Sequence, residues 1–125
     1  MQGQPDSTSN QSLSDRITAA PPQEVVAMLL GGAQGFIDQT VVAIQQRDLP
    51  AKTRLVNRVS AIIEQLVIML NFEGGGEVVD NLSRIYEWWL TELFEASSQN
   101  ATDRLRHIAV QMGNMQETWQ SQVLA

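Results

Sequence analysis

Leu70-Asn71-Phe72-Glu73-Gly74-Gly75-Gly76-Glu77-Val78-Val79 is the stretch on which the fold turns. Glycine costs a helix interior about 1 kcal/mol relative to alanine, so a helical pattern that meets three in a row is expected to stop there. Before the glycines, apolar residues recur as Leu55, Val59, Ile62, Leu66 and Met69, with Val56, Ile63 and Leu70 beside them and Lys52, Arg54 and Arg58 outward. After them the series is Val78, Leu82, Ile85, Trp89 and Leu93, with Val79, Tyr86 and Leu90 alongside. Both series have the spacing of an amphipathic helix. Two helices joined by so short a glycine turn, which supplies the left-handed stop, must lie antiparallel.

Two further breaks lie at Asp48-Leu49-Pro50 and Ser97-Ser98-Gln99-Asn100. The segment before the first break opens at Pro21-Pro22 and carries two adjacent stripes. One is Val25, Leu29, Gly32, Phe36 and Ala43; the other is Val26, Leu30, Ala33, Ile37, Val41 and Ile44. So broad an apolar face predicts contact with two other helices, and Gly31, Gly32 and Gly35 point to close approach by a neighbouring backbone. The last segment keeps a single 3-4 seam of Leu105, Ile108, Met112, Met115, Trp119 and Val123. These patterns predict an all-α fold, an antiparallel up-down-up-down four-helix bundle over residues 20–125. Residues 1–19, almost wholly Gln, Ser, Asn, Asp and Pro up to Leu13 and Ile17, predict a mobile N-terminal tail.

A chain of 125 residues has the size of one domain. Its net charge of −6 is confined to one region: residues 64–95 hold seven acids against Arg84 alone, and the rest balances. Such a surface repels phosphate backbones and anionic lipid, so neither nucleic acid nor stable membrane insertion is expected, and the partner should be a protein. The longest unbroken apolar run, Val25 to Leu30, is far short of a membrane span, and the first residues lack a signal-peptide pattern, which predicts a cytoplasmic protein. With no cysteine there is neither a disulfide nor a thiolate site.

Two places could hold chemistry, and neither has the residues for it. His107 is the single histidine and shares a polar face with Asp103, Arg104, Gln111, Asn114 and Thr118. A phosphotransfer bundle would present one exposed histidine, but such domains usually set a lysine and a glycine after it, and Ile108-Ala109-Val110 follow here. No Glu stands three residues before His107, as a bundle metal site would require. Gly74-Gly75-Gly76 has neither the lysine nor the hydroxyl of a phosphate loop and lies between Glu73 and Glu77. The expectation is a non-enzyme with no metal and no cofactor.

Several quoted segments together resemble the FliS flagellar export chaperones. They are Pro22-Gln23-Glu24-Val25-Val26-Ala27-Met28-Leu29 with Gly32, Asp48-Leu49-Pro50-Ala51-Lys52, and Ile62-Ile63-Glu64-Gln65-Leu66 followed by Leu70-Asn71-Phe72-Glu73-Gly74-Gly75-Gly76. Asn81-Leu82, Ile85-Tyr86-Glu87-Trp88-Trp89-Leu90 and Glu117-Thr118-Trp119 continue the likeness, which covers about residues 20–120. The resemblance implies a cytoplasmic bundle that binds the disordered C-terminal segment of flagellin, prevents premature polymerisation and delivers it to the flagellar type III export gate. It also implies an N-terminal segment that covers the client groove in the free state, for which Leu13 and Ile17 are the apolar residues at hand.

The residues themselves supply a weaker, separate indication of a groove. Ile68 and Phe72 continue the otherwise outward stripe of Arg54, Arg58 and Gln65, and Trp88 shares a face with Asn81, Thr91 and Glu95. Surplus apolar side chains of this kind form a patch for a partner's amphipathic helix. The alternative is a homo-oligomeric structural bundle, or a weak homodimer, in which they bury against a second copy.

Overall fold

A computed structural model describes residues 22–124, with side chains to residue 121; the expectations for Leu13 and Ile17, and for the side chain of Val123, lie outside this range. Four helices fill it: α1 Pro22–Gln45, α2 Leu49–Leu70, α3 Glu77–Ser98 and α4 Thr102–Leu124. Each helix packs against its neighbours in sequence, and α1 closes the ring against α4. Their near-equal lengths of 24, 22, 22 and 23 residues suit the up-down-up-down arrangement read from the sequence.

Each turn is built by identifiable atoms. After α1, Arg47 takes a left-handed φ of 57° and the Asp48 amide closes back on the Ala43 carbonyl at 2.8 Å. Asp48 then caps α2, its Oδ1 accepting from the Ala51 amide at 3.1 Å, with Pro50 in the first turn where its missing N–H is harmless. The α3–α4 turn repeats the device with Asn100 at φ 53° and Ala101 N donating to Ala96 O at 2.8 Å. Lys52 joins the two turns, its Nζ donating to Ser97 O at 3.0 Å and Asn100 Oδ1 at 2.9 Å. At the other end of the bundle the glycine turn differs from expectation. α2 ends at Leu70, with Asn71 still right-handed; the left-handed residues are Gly74 (φ 85°) and Gly76 (φ 123°), the latter opening α3.

The core runs the length of the bundle through Leu30, Ile37, Val59, Ile63, Leu66, Tyr86, Trp89, Leu93, Leu105, Ile108 and Met112. In α3 the buried seam keeps Leu82, Trp89 and Leu93 of the expected series and departs from it at two positions. Val78 and Ile85 were expected in the core, yet they are 70% and 37% exposed. The seam instead passes through Val79, Leu82, Tyr86, Trp89, Leu93 and Ala96, whose alternating spacings of three and four keep one face turned inward. Trp89 fixes that rotation, because its ring is fully buried and its Nε1 must find an acceptor, which is Gln111 Oε1 of α4 at 2.8 Å.

α1 lies deepest, with eight buried positions. By length and composition it could cross a membrane (mean hydropathy 1.4 over its most apolar 18 residues), but 44% of that window is buried within the bundle, as in the core helix of a four-helix domain. Of its glycines only Gly31 answers to a neighbour. A Cβ there would stand 2.6 Å from Gln116 Nε2, which donates to the Ala27 carbonyl at 3.0 Å, while Gln34 Nε2 donates to Gln116 Oε1 at 2.8 Å. This pair of amides fixes the register of α1 on α4. Gly32 meets only the tip of Ile62, at 3.7 Å, and Gly35 meets nothing.

Tyr86 gives a clean test of the packing, because it is the chain's one tyrosine. It is 2% exposed, with its ring centroid 5.6 Å from that of Trp89, and burial pushes its phenol up to about 12. The unfolded chain releases this proton near pH 10 while the folded chain keeps it, so stability should fall by about 2–3 kcal/mol as pH rises from 10 to 12. Ultraviolet titration should therefore show phenolate appearing together with unfolding. Phenolate formed near pH 10 in a folded chain would contradict the packing.

Candidate functional site

Exposed apolar residues run along α2 and α3, with Leu49 and Phe94 towards one end and Ile68, Phe72 and Val78 at the glycine-turn end, where α1 and α3 begin and α2 and α4 end. An apolar cleft of about 150 Å³ opens there, lined by Val26, Leu66, Met69, Leu70, Glu73, Val78, Val79, Leu82, Tyr86 and Trp119. That volume accommodates one aliphatic or aromatic side chain. Ile68, in the last turn of α2, and Phe72, in the turn after it, are 50% and 85% exposed but do not line the cleft. Val78 forms part of its wall while remaining largely open to solvent.

Trp88 is 44% exposed, but it is not adjacent to Ile68 and Phe72. It lies ten residues beyond Val78, about 15 Å along α3, on the face that turns towards α4. Its neighbour one turn on, Glu92, is held by Arg104 of α4 through two bonds, Nε to Oε2 at 2.8 Å and NH2 to Oε1 at 2.6 Å. Ile85 bridges the interval. Ile68 and Phe72 belong to α2 and the turn after it, whereas Trp88 ends an exposed apolar ridge on α3 that also holds Val78 and Ile85. The sequence reading missed these two by placing them in the core. The signal that could have found them was the unbroken 3-4 series from Val79 to Ala96, which leaves no inward position for either.

Acids surround the cleft. Glu73 lines it and Glu77 and Asp80 occupy the first turn of α3, where they also favour the helix dipole. Arg84 is the one base among residues 64–95 and its NH1 is turned to Asn81 Oδ1 at 3.1 Å. A segment docking here meets an apolar strip inside a negative field, which favours a partner with apolar anchors and little negative charge. Farther along, the Arg104 guanidinium holds the Glu92 carboxyl below its ordinary value. The pair therefore supports the fold at neutral pH and stops doing so as acid protonates Glu92.

His107 stands on the polar face of α4 as expected, and it has one structural task. Gln111, whose oxygen accepts from Trp89, offers its Nε2 to His107 Nε2 at 3.1 Å, so the histidine steadies the amide that satisfies the buried indole. Among the described residues no three His, Asp or Glu side chains gather as metal ligands would. A second concavity of about 190 Å³, at the opposite end, is formed by the helix caps themselves, with Arg47, Asp48, Lys52 and Asn100 in its wall.

The family model described as flagellar protein FliS matches residues 5–124 of this chain. Curated relatives include the flagellar secretion chaperone FliS of Vibrio cholerae, 27% identical over 108 residues that cover 86% of this chain and 79% of the relative. Flagellar secretion chaperone FliSB of Pseudomonas aeruginosa is 28% identical over 86% of each chain. The FliS of Campylobacter jejuni is 32% identical, over 78% of this chain and 77% of its own length.

Adjacent tryptophans should respond in opposite ways. Trp89→Ala removes a fully buried side chain and should cost about 3–5 kcal/mol in denaturant unfolding, whereas Trp88→Ala should cost about 1 kcal/mol or less. Equal losses would contradict the rotation of α3.

Proposed function

The chain belongs to the FliS family of flagellar secretion chaperones, and from that premise we propose that it binds the disordered C-terminal segment of flagellin in the cytoplasm. Held in this way, flagellin cannot polymerise prematurely and is delivered to the flagellar type III export gate. The observation that carries the reading is the exposed apolar ridge of Val78, Ile85 and Trp88 on α3, with Ile68 and Phe72 exposed at the end of α2 and an apolar cleft of one side chain's volume at the glycine turn. A flagellin segment that orders as an amphipathic helix would present anchors at every third and fourth residue to such a ridge. The chaperone's own part is to be rigid, so that the ordering entropy is borne by the client alone.

As part of the same proposal, Leu13 and Ile17 cover the client groove in the free chain. The sequence joins α1 at Pro22, at the bundle end where Val26 lines the cleft, so a short segment suffices to reach it. Two aliphatic side chains contribute at most about 1.5–3 kcal/mol each on full burial, before the entropy of ordering is subtracted. The cover is therefore weak and the client displaces it.

Isothermal titration with a flagellin C-terminal peptide tests the groove. Ile68→Asp, Phe72→Asp and Val78→Asp should each weaken binding about tenfold or more while leaving the unfolding midpoint within a few degrees, since truncated hot-spot contacts cost ~2 kcal/mol and surface changes little stability. Unchanged affinity in all three would place the client elsewhere. Removing residues 1–18 should tighten the same peptide a few-fold by abolishing the closed population. Weaker binding after the deletion would mean that the tail holds the client directly.

A further inference from the structure

Residues 47–58 hold four bases, Arg47, Lys52, Arg54 and Arg58, against Asp48 alone, a local charge of +3 in a chain of net charge −6. The fold does not select that placement. The helix dipole favours acids at the start of a helix and bases at its end, whereas α2 has Lys52 in its opening turn, Arg54 and Arg58 soon after, and no base in its last turn. Two of the four have structural tasks: Lys52 ties the two turns at its end of the bundle together, and the Arg58 guanidinium lies over the Phe36 ring at 5.5 Å. Arg47 and Arg54 are exposed. Among the described residues both ion pairs lie elsewhere, Arg104 with Glu92 and Arg106 with Asp103, so none of the four bases is paired with a carboxylate.

Three of these cations frame a groove. About 370 Å³ of open space lies between the end of α1 and the first turns of α2, with Val42, Ala43, Ala51 and Leu55 as its apolar lining. Arg58 follows Ala51 by seven residues and Leu55 by three, so it shares their face of α2, and its reach to Phe36 of α1 puts it across the far end. Arg54, one turn earlier, stands on the α2 rim, and Arg47 lies in the turn at the near end. Of the two acids in the wall, Asp48 already accepts from the Ala51 amide, which leaves Asp38 outnumbered. We infer that the groove docks an acidic amphipathic helix of a second protein partner, separate from the flagellar client. An apolar floor within a ring of guanidinium groups is complementary to apolar anchors flanked by carboxylates. From Leu49 to Arg58 the α2 axis rises about 14 Å, which matches two to three turns of such a helix. A nucleic acid fits less well, because a phosphate backbone has no use for the apolar floor and meets a net charge of −6. Neither the cleft at the glycine turn nor the ridge on α3 is covered, so both surfaces can be filled at once.

The probe is a synthetic peptide of about three helical turns, with leucine at every third and fourth position and glutamate between. Isothermal titration of the full chain with this peptide at low salt should give a saturable one-to-one isotherm that weakens as salt is raised. Arg54→Glu should weaken it about three- to tenfold with the unfolding midpoint unchanged, since the side chain is exposed and unpaired in the fold. Arg54→Glu with Arg58→Glu should weaken it about tenfold or more, and Val42→Glu should act likewise from the α1 wall. Val110→Glu, the same kind of change on an exposed position of α4, should leave it unaltered. Backbone amide shifts in a nuclear magnetic resonance titration should concentrate in residues 38–58. A peptide that binds Arg54→Glu as well as it binds the unaltered chain, or that shifts residues 66–88 instead, would overturn the inference. So would tighter binding of a single-stranded RNA than of the peptide, or reversals that change only the chain's association with itself.

Discussion

The indole of Trp89 is the group on which the rest of the structure depends. It is the largest fully buried side chain, and its N–H cannot be left without an acceptor in an apolar core. Gln111 of α4 is that acceptor, and the bond sets the rotation of α3 against α4. Once the rotation is set, Tyr86 and Leu93 must face inward and Val78, Ile85 and Trp88 must face out. An apolar ridge on the surface is thus a geometrical consequence of burying one tryptophan with its polar atom satisfied.

A second constraint acts across the bundle, at the α1–α4 seam. Gln34 and Gln116 exchange a hydrogen bond between helices, and Gln116 also reaches the Ala27 carbonyl past the missing Cβ of Gly31. Polar contacts of this kind fix register more than they add stability, because sliding either helix by one residue would orphan both amides. The apolar cleft at the glycine-turn end depends on both constraints. Its walls come from all four helices, so it exists only if α3 is rotated correctly and α4 is in register with α1.

Much of this was legible in the sequence. The breaks at Asp48-Leu49-Pro50, Gly74-Gly75-Gly76 and Ser97-Ser98-Gln99-Asn100 divide the chain into helices of matched length, and turn chemistry is local enough to be read directly. The separation of Trp88 from Trp89 was legible as well, because neighbours on a helix point about 100° apart. The phase of α3 was not. Val78 and Val79, and Ile85 and Tyr86, are adjacent apolar pairs, so two stripes compete, and the acceptor that decides between them lies on another helix. The glycines of α1 were ambiguous for a similar reason: Gly31 makes room for Gln116, eighty-five residues away in the chain, whereas Gly35 makes room for nothing in the monomer. Membership of the FliS family followed from order and spacing along nearly the whole chain, which no single motif would have established.

The central claim is that a flagellin C-terminal segment lies along the ridge from the glycine turn to Trp88. Amide hydrogen exchange of the full chain, with and without that peptide, maps the contact without any substitution. New protection is predicted over residues 66–88, with the α1–α2 and α3–α4 turns at the opposite end unchanged. Protection confined to those turns, or to the outward face of α1, would contradict the account.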